Sequence, residues 1–502
     1  MKRLAVSAVT MATAAALLLS GCMGGSDTAS ETASSAQQRD FPAVYQQEVD
    51  WQECGENYGF RDGLAEYVKE RGAHIDGLRC AWITVPLNWD DPGDERTIRL
   101  STVHIPATGE APIGTLFSNP GGPGASGTEF ALGLTGSKSF AAVHEKYDLL
   151  GFDPRGISRS TPVDCESETQ LLELKLALCA DEDPLALSMG SAQVARDMEL
   201  MRTLVGDDLM HYSGFSYGTV IGATYATLFP EKVGRIMLDS AWPSNWSSLL
   251  GTYQQYEAVS RARNELLAGC ASEYEVKLCP IRNEGAFMRT AARLDDHPLV
   301  ASDGTVIDGG VFRDYLTTAL YQLRAGRQVV LDVSGRALAG EQAAIDELAA
   351  AMSGGGARVS LSGIIVRCLS SPRDPHITEL YEYINDRGLP AALGGPDIND
   401  ETLGQFMALR CEGLPDSGED YLDFSYGGAS PILVFGITGD HATPYEGAKK
   451  IVEELGNATL VTLEGSGHIA TYQDRSSCAD AIANAYLLRG EMPDEGRVCT
   501  DD

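Results

Sequence analysis

The chain has 502 residues, of which 43% are hydrophobic and 22% charged, so it has ample material for a folded core and is not predominantly disordered. Its 71 Asp and Glu residues against 38 Lys and Arg residues give a formal net charge of -33. Such an acidic chain repels a phosphate backbone, and we therefore expect no nucleic acid among its partners. Beyond the N-terminus no apolar run of about 20 residues occurs, which excludes a later membrane-spanning helix.

The N-terminus is typical of a bacterial lipoprotein export signal. Two basic residues precede an apolar stretch at 4–19, which runs into Leu-Ser-Gly-Cys at 19–22. This pattern resembles the lipobox, whose Cys is acylated and becomes the mature N-terminus. We predict a signal peptide at 1–21 and lipidation of Cys22, so that the membrane is a partner through a lipid anchor on the outer face of the cell membrane. A plain secretory signal is the alternative.

The remainder of the chain divides by composition. Residues 22–45 are rich in Gly, Ser, Thr and Ala, which bury little apolar surface, and they are predicted to be a flexible tether. Between about 247 and 415, long helical stretches replace the strand pattern, which indicates a helical cap inserted into one catalytic domain. We expect the core of that domain in two segments, 46–246 and 416–502.

The core segments alternate short β-branched runs with longer helical patterns, which predicts an α/β fold with a mostly parallel sheet. Strand patterns at 81–87 and 97–105 flank Asp-Asp-Pro-Gly at 90–93 and predict an antiparallel hairpin. Six further runs are short enough for buried strands: 114–117, 147–152, 209–213, 235–238, 431–436 and 458–463. We expect functional residues just beyond the carboxyl ends of these strands.

Eleven cysteines are present, and with Cys22 assigned to the lipid an even number remains in an exported chain. Ten cysteines allow roughly 945 pairings. Pairing sequence neighbours predicts five disulfides: Cys54 with Cys80, Cys165 with Cys179, Cys270 with Cys279, Cys368 with Cys411, and Cys478 with Cys499. The chain contains neither Cys-x-x-Cys nor His-Glu-x-x-His, so we expect no metal and no cofactor.

A candidate nucleophile lies in Gly-Phe-Ser-Tyr-Gly, which occurs once, at 214–218. The motif stands between the strand pattern at 209–213 and a helical run that begins near Thr219. A serine at such a turn takes a strained backbone conformation, which requires close neighbours without side chains. Ser216 is therefore the predicted nucleophile.

A serine hydroxyl needs a base within hydrogen-bond reach and a carboxylate that orients the base. His468 follows the last strand pattern on a loop of small residues and is the predicted base. Asp440 follows the preceding strand pattern and is the predicted acid, which gives the chain order Ser, Asp, His of α/β-hydrolases. Asp239 also ends a strand pattern and is the alternative acid, whereas His441 is expected to be a bystander.

Two backbone N–H groups are needed for the oxyanion of the tetrahedral intermediate. One is expected from Tyr217, the residue after the nucleophile. The other is expected from Asn-Pro-Gly-Gly-Pro-Gly at 119–124, which directly follows a strand pattern. Gly121 or Gly122 is the predicted donor in that loop.

Five motifs occur in a fixed order: Asn-Pro-Gly-Gly-Pro-Gly at 119–124, Gly-Phe-Asp-Pro-Arg-Gly at 151–156, Gly-Phe-Ser-Tyr-Gly-Thr at 214–219, Tyr-Ala at 225–226 followed by Phe-Pro at 229–230, and Asp-His-Ala-Thr-Pro at 440–444. Together they resemble the tripeptidyl aminopeptidase family of exported bacterial α/β-hydrolases, which is related to prolyl aminopeptidases and mycobacterial cell-envelope serine hydrolases. The resemblance spans about 50–499.

This resemblance implies an α/β-hydrolase fold with an inserted helical cap and a C-terminal segment of the TAP-like type. It also implies that Ser216, Asp440 and His468 are the catalytic residues. Asp153 and Arg155, in the second motif, are expected to brace the active-site loops and to take no part in the chemistry.

Two positions depart from the family pattern. Relatives follow the cap cysteine closely with an acidic residue, but here Cys368 is followed by Leu-Ser-Ser-Pro, and the first carboxylate is Asp374. Leu-Asp-Ser at 238–240 stands where members often carry Leu-Asp-Gly. An acidic cap residue would bind the free α-ammonium group of an aminopeptidase substrate, so its displacement weakens the exopeptidase assignment more than the hydrolase assignment.

We expect an enzyme, a serine hydrolase whose partners are peptide substrates and which releases short peptides from free N-termini through an acyl-enzyme. A carboxylesterase or endoprotease that uses the same triad is the first alternative. A catalytically idle surface-binding lipoprotein is the second alternative. The complete triad and oxyanion loop argue against this last possibility.

Overall fold

The computed structural model describes residues 31–59, 77–163, 165, 169, 171–353, 360–372, 377–387, 411, 413–415 and 417–502. The strands are β1 (Arg79–Pro86), β2 (Thr97–Ile105), β3 (Gly114–Asn119), β4 (Tyr147–Phe152), β5 (Met210–Phe215), β6 (Val233–Asp239), β7 (Leu299–Val300), β8 (Val306–Ile307), β9 (Ile432–Gly439), β10 (Ala458–Ser466) and β11 (Val498–Thr500).

The α-helices are α1 (Ala33–Asp40), α2 (Pro42–Tyr45), α3 (Gly127–Leu134), α4 (Ala141–His144), α5 (Leu172–Glu182), α6 (Ser191–Val205), α7 (Gly218–Leu228), α8 (Leu249–Gly269), α9 (Glu284–Asp296), α10 (Gly309–Thr318), α11 (Arg324–Leu338), α12 (Gln342–Ser353), α13 (Leu361–Leu369), α14 (Ile377–Arg387), α15 (Tyr445–Leu455) and α16 (Ser477–Arg489). None of the helices in the described ranges is long and apolar enough to cross a membrane.

Nine strands form one sheet in the order β1-β2-β4-β3-β5-β6-β9-β10-β11. β1 and β2 form the predicted antiparallel hairpin, and β2 is also antiparallel to β4. From β4 to β11 every neighbouring pair is parallel. The six buried strands expected from the sequence are all present, and the predicted α/β fold with a mostly parallel sheet is confirmed.

Helices cover both faces of this sheet. Successive residues of β9 alternate between two apolar clusters, because strand side chains point to opposite faces in turn: Ile432 and Val434 belong to one cluster, Leu433 and Phe435 to the other. The first cluster includes residues of α6, α7 and α15, and the second includes residues of α3, α4 and α16. With both faces covered, the loops at the carboxyl ends of the strands are the place for functional residues.

Between β6 and β9 the chain forms the helices from α8 to α14 and a small antiparallel sheet of β7 and β8. This stretch has an apolar cluster of its own, which includes Phe287, Phe312 and Leu316. The sequence did not predict β7 and β8, because two residues in each strand are too few to show a period of two.

Residues 33–45 differ from the predicted flexible tether, since they form α1 and α2. Ser34 Oγ donates a hydrogen bond to Glu199 Oε1 at 2.5 Å, and Gln37 Nε2 donates to the carbonyl oxygen of Arg196 at 3.0 Å. The tether prediction is wrong for this part, because Phe41 and Val44 are buried in the apolar cluster that includes residues of α6, and these polar contacts add to that packing.

All five predicted disulfides are present: Cys54–Cys80, Cys165–Cys179, Cys270–Cys279, Cys368–Cys411 and Cys478–Cys499. The last of them joins α16 to β11, the edge strand beside β10. Cys22, the predicted lipidation site, lies outside the described residues.

Candidate active site

Ser216 lies at the turn between β5 and α7 with a φ of +55°, a left-handed conformation that residues with side chains rarely adopt. A Cβ atom on Gly214 would lie 2.4 Å from the carbonyl oxygen of Gly218, and one on Gly218 would lie 2.4 Å from that of Asn119. Only glycine fits at these two positions. The N–H of Ser216 donates to the carbonyl oxygen of Asp239 at 3.0 Å, which holds the strained turn against β6.

His468 and Asp440 form a hydrogen-bonded pair, with His468 Nδ1 lying 3.0 Å from Asp440 Oδ1 and 2.9 Å from Oδ2. The buried carboxylate also accepts the N–H groups of Ala442 and Thr443 at 2.8 and 2.9 Å, and the Thr443 hydroxyl at 2.8 Å. Burial raises the pKa of Asp440, but the charge of His468 and these hydrogen bonds outweigh burial and hold the pKa below its ordinary value. Asp440 is therefore ionised at neutral pH and can keep the Nδ1–H tautomer of the imidazole.

Asp239, the alternative acid, binds the loop that follows His468. Its carboxylate accepts the N–H of Ala470 at 2.9 Å, the N–H of Thr471 at 2.8 Å and the Thr471 hydroxyl at 2.6 Å. Within the described residues, no hydrogen bond joins this carboxylate to the imidazole of His468. The geometry therefore favours Asp440 as the orienting acid and gives Asp239 a positioning role that the sequence did not indicate.

The three predicted triad residues lie in loops at the carboxyl ends of β5, β9 and β10. In the part of the chain that the structure describes, Ser216 Oγ makes no hydrogen bond with His468 Nε2. Catalytic hydrogen bonds of this kind are often long in the free enzyme and tighten when substrate binds. The structure thus brings the predicted acid and the predicted base into contact, and it places the predicted nucleophile at the same edge of the sheet.

The loop after β3 lies against the nucleophile turn. A Cβ atom on Gly121, whose φ is +95°, would lie 2.6 Å from the backbone nitrogen of Tyr217. The N–H of Gly121 donates to the Asn119 side chain at 2.8 Å and is therefore already used. In the described ranges, the N–H groups of Gly122 and Tyr217 have no acceptor, and Tyr217 stands at the positive N-terminus of α7. Of the two glycines, the geometry favours Gly122 as the donor.

Asp153 lies behind this oxyanion loop. Its Oδ1 accepts the hydroxyl of Ser126 at 2.6 Å and the N–H of Thr128 at 3.1 Å, at the start of α3. Arg155 is buried and makes two hydrogen bonds to Asp197, at 2.8 and 2.6 Å. Both residues hold loops and helices in place, in agreement with the bracing role that the resemblance implied.

The cap contributes Tyr321, which the sequence did not single out. Its ring centre lies 4.4 Å from that of His441 and 5.8 Å from that of His468, in edge-to-face contacts. Burial lowers the pKa of His441 to about 3, so this ring is neutral and forms a wall beside the base. No motif marks Tyr321, because its contact arises only when the cap packs on the core.

In the described part of the chain, no group of three or more His, Cys, Asp and Glu residues could hold a metal ion. The chemistry open to this arrangement is attack by an activated serine on a carbonyl group.

Two family models match the chain: one described as alpha/beta hydrolase fold at residues 116–265, and one described as TAP-like protein at residues 397–499. The serine protease Hip1 of Mycobacterium tuberculosis is 29% identical over 84% of this chain and 87% of its own length. The tripeptidyl aminopeptidase of Streptomyces lividans is 24% identical over 90% of this chain and 86% of its own length. Carboxylesterase B of Mycobacterium tuberculosis is 27% identical over 94% of this chain and 93% of its own length.

The resemblance drawn from the five motifs is thereby confirmed. The chain has the α/β-hydrolase fold and is a serine hydrolase, and its C-terminal segment at 397–499 is similar to TAP-like proteins.

Proposed function

We propose that this protein is an exported serine aminopeptidase that releases short peptides, tripeptides among them, from free N-termini. The observation that carries the proposal is the contact of His468 Nδ1 with the buried Asp440 carboxylate, at the same sheet edge as the strained Ser216. Two of the relatives described above are named for the cleavage of peptides, a serine protease and a tripeptidyl aminopeptidase.

The reaction follows from the roles of these groups. Ser216 Oγ attacks the carbonyl carbon of the scissile bond while His468 Nε2 takes its proton, and Asp440 stabilises the imidazolium that forms. The N–H groups of Tyr217 and Gly122 hold the negative oxygen of the tetrahedral intermediate. His468 then gives the proton to the leaving amine, and water releases the acylated Ser216 by the same steps in reverse order.

The cap supports an exopeptidase because it contacts the catalytic loops directly. Gln255 Nε2 in α8 donates to the carbonyl oxygen of Ala442 at 2.7 Å, two residues after the acid. Arg327 Nη1 in α11 donates to Ser466 Oγ at 3.1 Å, two residues before the base. The end of a peptide chain can pass beneath these helices more easily than an internal segment of a folded protein.

A carboxylesterase on the same triad is the second candidate, favoured by one observation in the cap. The position two residues after Cys368 is Ser370, and its hydroxyl accepts the N–H of Ser191 at 3.0 Å. This serine offers no charge to a substrate ammonium group. Asp374, the first carboxylate after the cap cysteine, lies outside the described residues.

Export and a lipid anchor at Cys22 are part of the proposal. The support is the lipobox sequence and the five disulfides, since disulfides persist in oxidising compartments outside the cytoplasm. The mature protein would then act on peptides at the outer face of the cell membrane.

The test compares kcat/KM for a tripeptide anilide, its N-acetylated form and a short-chain ester, with Ser216→Ala as the inactive control. An aminopeptidase site leaves a charged group unpaired when the substrate amine is blocked, so acetylation should lower kcat/KM by about 30-fold to several thousandfold. Equal rates for the free and acetylated peptides would favour an endoprotease. Rapid turnover of the ester alone would favour the esterase.

A further inference from the structure

Arg367, in α13, carries a guanidinium group with no carboxylate partner among the described residues. Its Nη2 donates to the hydroxyl of Thr252 at 2.9 Å, and its guanidinium carbon lies 5.2 Å from the ring centre of Trp246. The Nε atom is buried and has no acceptor in the described part of the chain. Burial lowers the pKa of Arg367 only to about 10, so the group stays charged at neutral pH.

A second buried donor lies beside it. The indole Nε1–H of Trp246 also has no acceptor among the described residues. Guanidinium and indole N–H groups can only donate, so neither can satisfy the other. Both lack the same kind of partner, an oxygen that accepts hydrogen bonds, and a carboxylate can accept from two donors at once.

Arg367 as a whole residue is partly exposed, although its Nε atom is buried, and the buried arginines of the described ranges all have a counter-ion. Arg155 binds Asp197, Arg202 binds Glu199 and Arg475 binds Asp501, each through two nitrogens. A buried charge without a counter-ion is unfavourable, which is why such groups are normally paired. The missing partner of Arg367 therefore points to a ligand.

On one side, the helix turn that precedes Arg367 lies against the predicted oxyanion loop at 119–124. A Cβ atom on Gly124 would lie 3.7 Å from Cα of Gly363, in the first turn of α13. Arg367 follows Gly363 by four residues, so the two share one face of the helix, a turn of about 5.4 Å apart.

On the other side, Arg367 is linked through α8 to the loop that follows Asp440. Thr252, which binds Arg367, lies in α8 one turn before Gln255, and Gln255 donates to the carbonyl oxygen of Ala442 at 2.7 Å. Arg367 thus joins α13 to α8, and each of these two helices also contacts a loop of the candidate active site. Trp246, beside Arg367, adjoins the turn of the predicted nucleophile, because its ring centre lies 5.1 Å from that of Tyr217.

We propose that Arg367 and Trp246 form a subsite that binds a carboxylate of the peptide substrate. The inference rests on the proposed peptidase function and narrows the substrate class to peptides that present a carboxylate to this subsite. A peptide carries such a group in two places, on an Asp or Glu side chain and at its C-terminus.

Two sets of substrates distinguish these sources. Tripeptide anilides have no C-terminal carboxylate, so they test the side chain alone. At each of the three positions, kcat/KM is compared between a Glu and a Gln substrate, with Ala-Ala-Ala anilide as the uncharged reference. Tetrapeptides with a free or amidated C-terminus test the terminal carboxylate. A charged hydrogen bond of this kind is worth about ten- to hundredfold in kcat/KM, which is the preference expected for one of the acidic forms.

The variants are Arg367→Gln, which removes the charge, Arg367→Lys, which keeps it, and Trp246→Phe, which removes only the indole N–H. Arg367→Gln should bring the acidic preference close to one, Arg367→Lys should keep much of it, and Trp246→Phe should reduce it partly. Arg336→Gln is the matched control, because Arg336 lies in the cap helix α11 and pairs with Asp332 at 2.7 Å. Thermal unfolding of each variant reports whether it has folded.

The preference is the ratio of kcat/KM for the acidic substrate to kcat/KM for its uncharged counterpart. A wild-type ratio near one in every pair, or a ratio that Arg367→Gln leaves unchanged, would overturn the inference. If wild-type enzyme cleaves no peptide at all, the proposed function fails first. Calorimetric binding of the Glu and Gln tripeptides to Ser216→Ala then still decides the subsite, since equal affinities would refute it. If Arg367→Gln does not fold, the wild-type ratios and Arg367→Lys give the same decision.

Discussion

The backbone carbonyl oxygen of Asp239 accepts the N–H of Ser216 at 3.0 Å. The carboxylate of the same residue accepts the N–H groups of Ala470 and Thr471, at 2.9 and 2.8 Å, just after His468. One residue at the end of β6 therefore joins the turn of the predicted nucleophile to the loop of the predicted base. The relative position of serine and histidine depends on this residue, although it contacts the reacting atoms of neither.

Asp440→Asn should lower kcat/KM on a neutral tripeptide anilide by about 10⁴-fold, the loss known for the equivalent change in a serine protease. The amide cannot stabilise the imidazolium of His468, and it favours the wrong tautomer. Steady-state kinetics checks this, with thermal unfolding as evidence that the variant is folded. A loss below tenfold would remove Asp440 from the triad.

Asp239→Asn is the matched comparison, and we expect a much smaller loss of rate. Its amide NH₂ group would meet the N–H groups of Ala470 or Thr471, so one buried donor loses its acceptor. The expected cost is about 1–3 kcal/mol in the free energy of unfolding. Urea unfolding measures the loss of stability, and kcat/KM measures the loss of activity. If the Asp239 variant lost more activity than the Asp440 variant, the acid would lie after β6.

The strands that lead to the predicted triad were predictable from sequence, because β5, β9 and β10 are short runs with at most one acidic or basic residue each. β11 was not, because three residues show no periodicity. Its place follows from pairing with β10 and from the Cys478–Cys499 disulfide.

The choice between near-equivalent residues was not predictable, because it depends on contacts between distant segments. Gly121 and Gly122 share one motif, and only the hydrogen bond from Gly121 N–H to Asn119 separates them. Asp239 and Asp440 both end strands, and only the position of His468 separates them. In the sequence Arg367 is an ordinary helical arginine, and only the fold shows that it has no carboxylate partner among the described residues.

Asp420 should make stability depend on pH, because burial, with the charge of Asp90, raises its pKa from 3.8 to about 6. Between these two values the unfolded chain releases the proton while the folded protein keeps it. The free energy of unfolding therefore falls as the pH rises through this window and stays lower above it. Asp420→Asn should remove this dependence and stabilise the protein at pH 7 by roughly 2–3 kcal/mol.

Urea unfolding of both proteins between pH 4 and pH 8 checks the Asp420 prediction. Asp423→Asn is the control, because Asp423 lies in the same loop and is exposed. Parallel pH profiles for wild type and Asp420→Asn would contradict the prediction.

Cys22→Ser should release the protein from the membrane or misplace it, if Cys22 carries the lipid. Each buried acyl methylene contributes about 0.8 kcal/mol, so several chains hold a protein firmly, whereas a chain with a formal charge of -33 is repelled by anionic lipid. Immunoblots of membrane and soluble fractions measure the change. Equal membrane fractions for the variant and the parent would argue for another anchor.

Covalent labelling decides whether Ser216 is the nucleophile of the proposed serine peptidase. Wild-type protein and Ser216→Ala are treated with a serine-directed phosphonate, digested and analysed by mass spectrometry, with tripeptide anilide turnover measured in parallel. We predict one adduct, on Ser216, and the loss of both adduct and turnover in Ser216→Ala. An adduct of undiminished yield on the Ala variant, or turnover at the wild-type rate, would contradict the assignment.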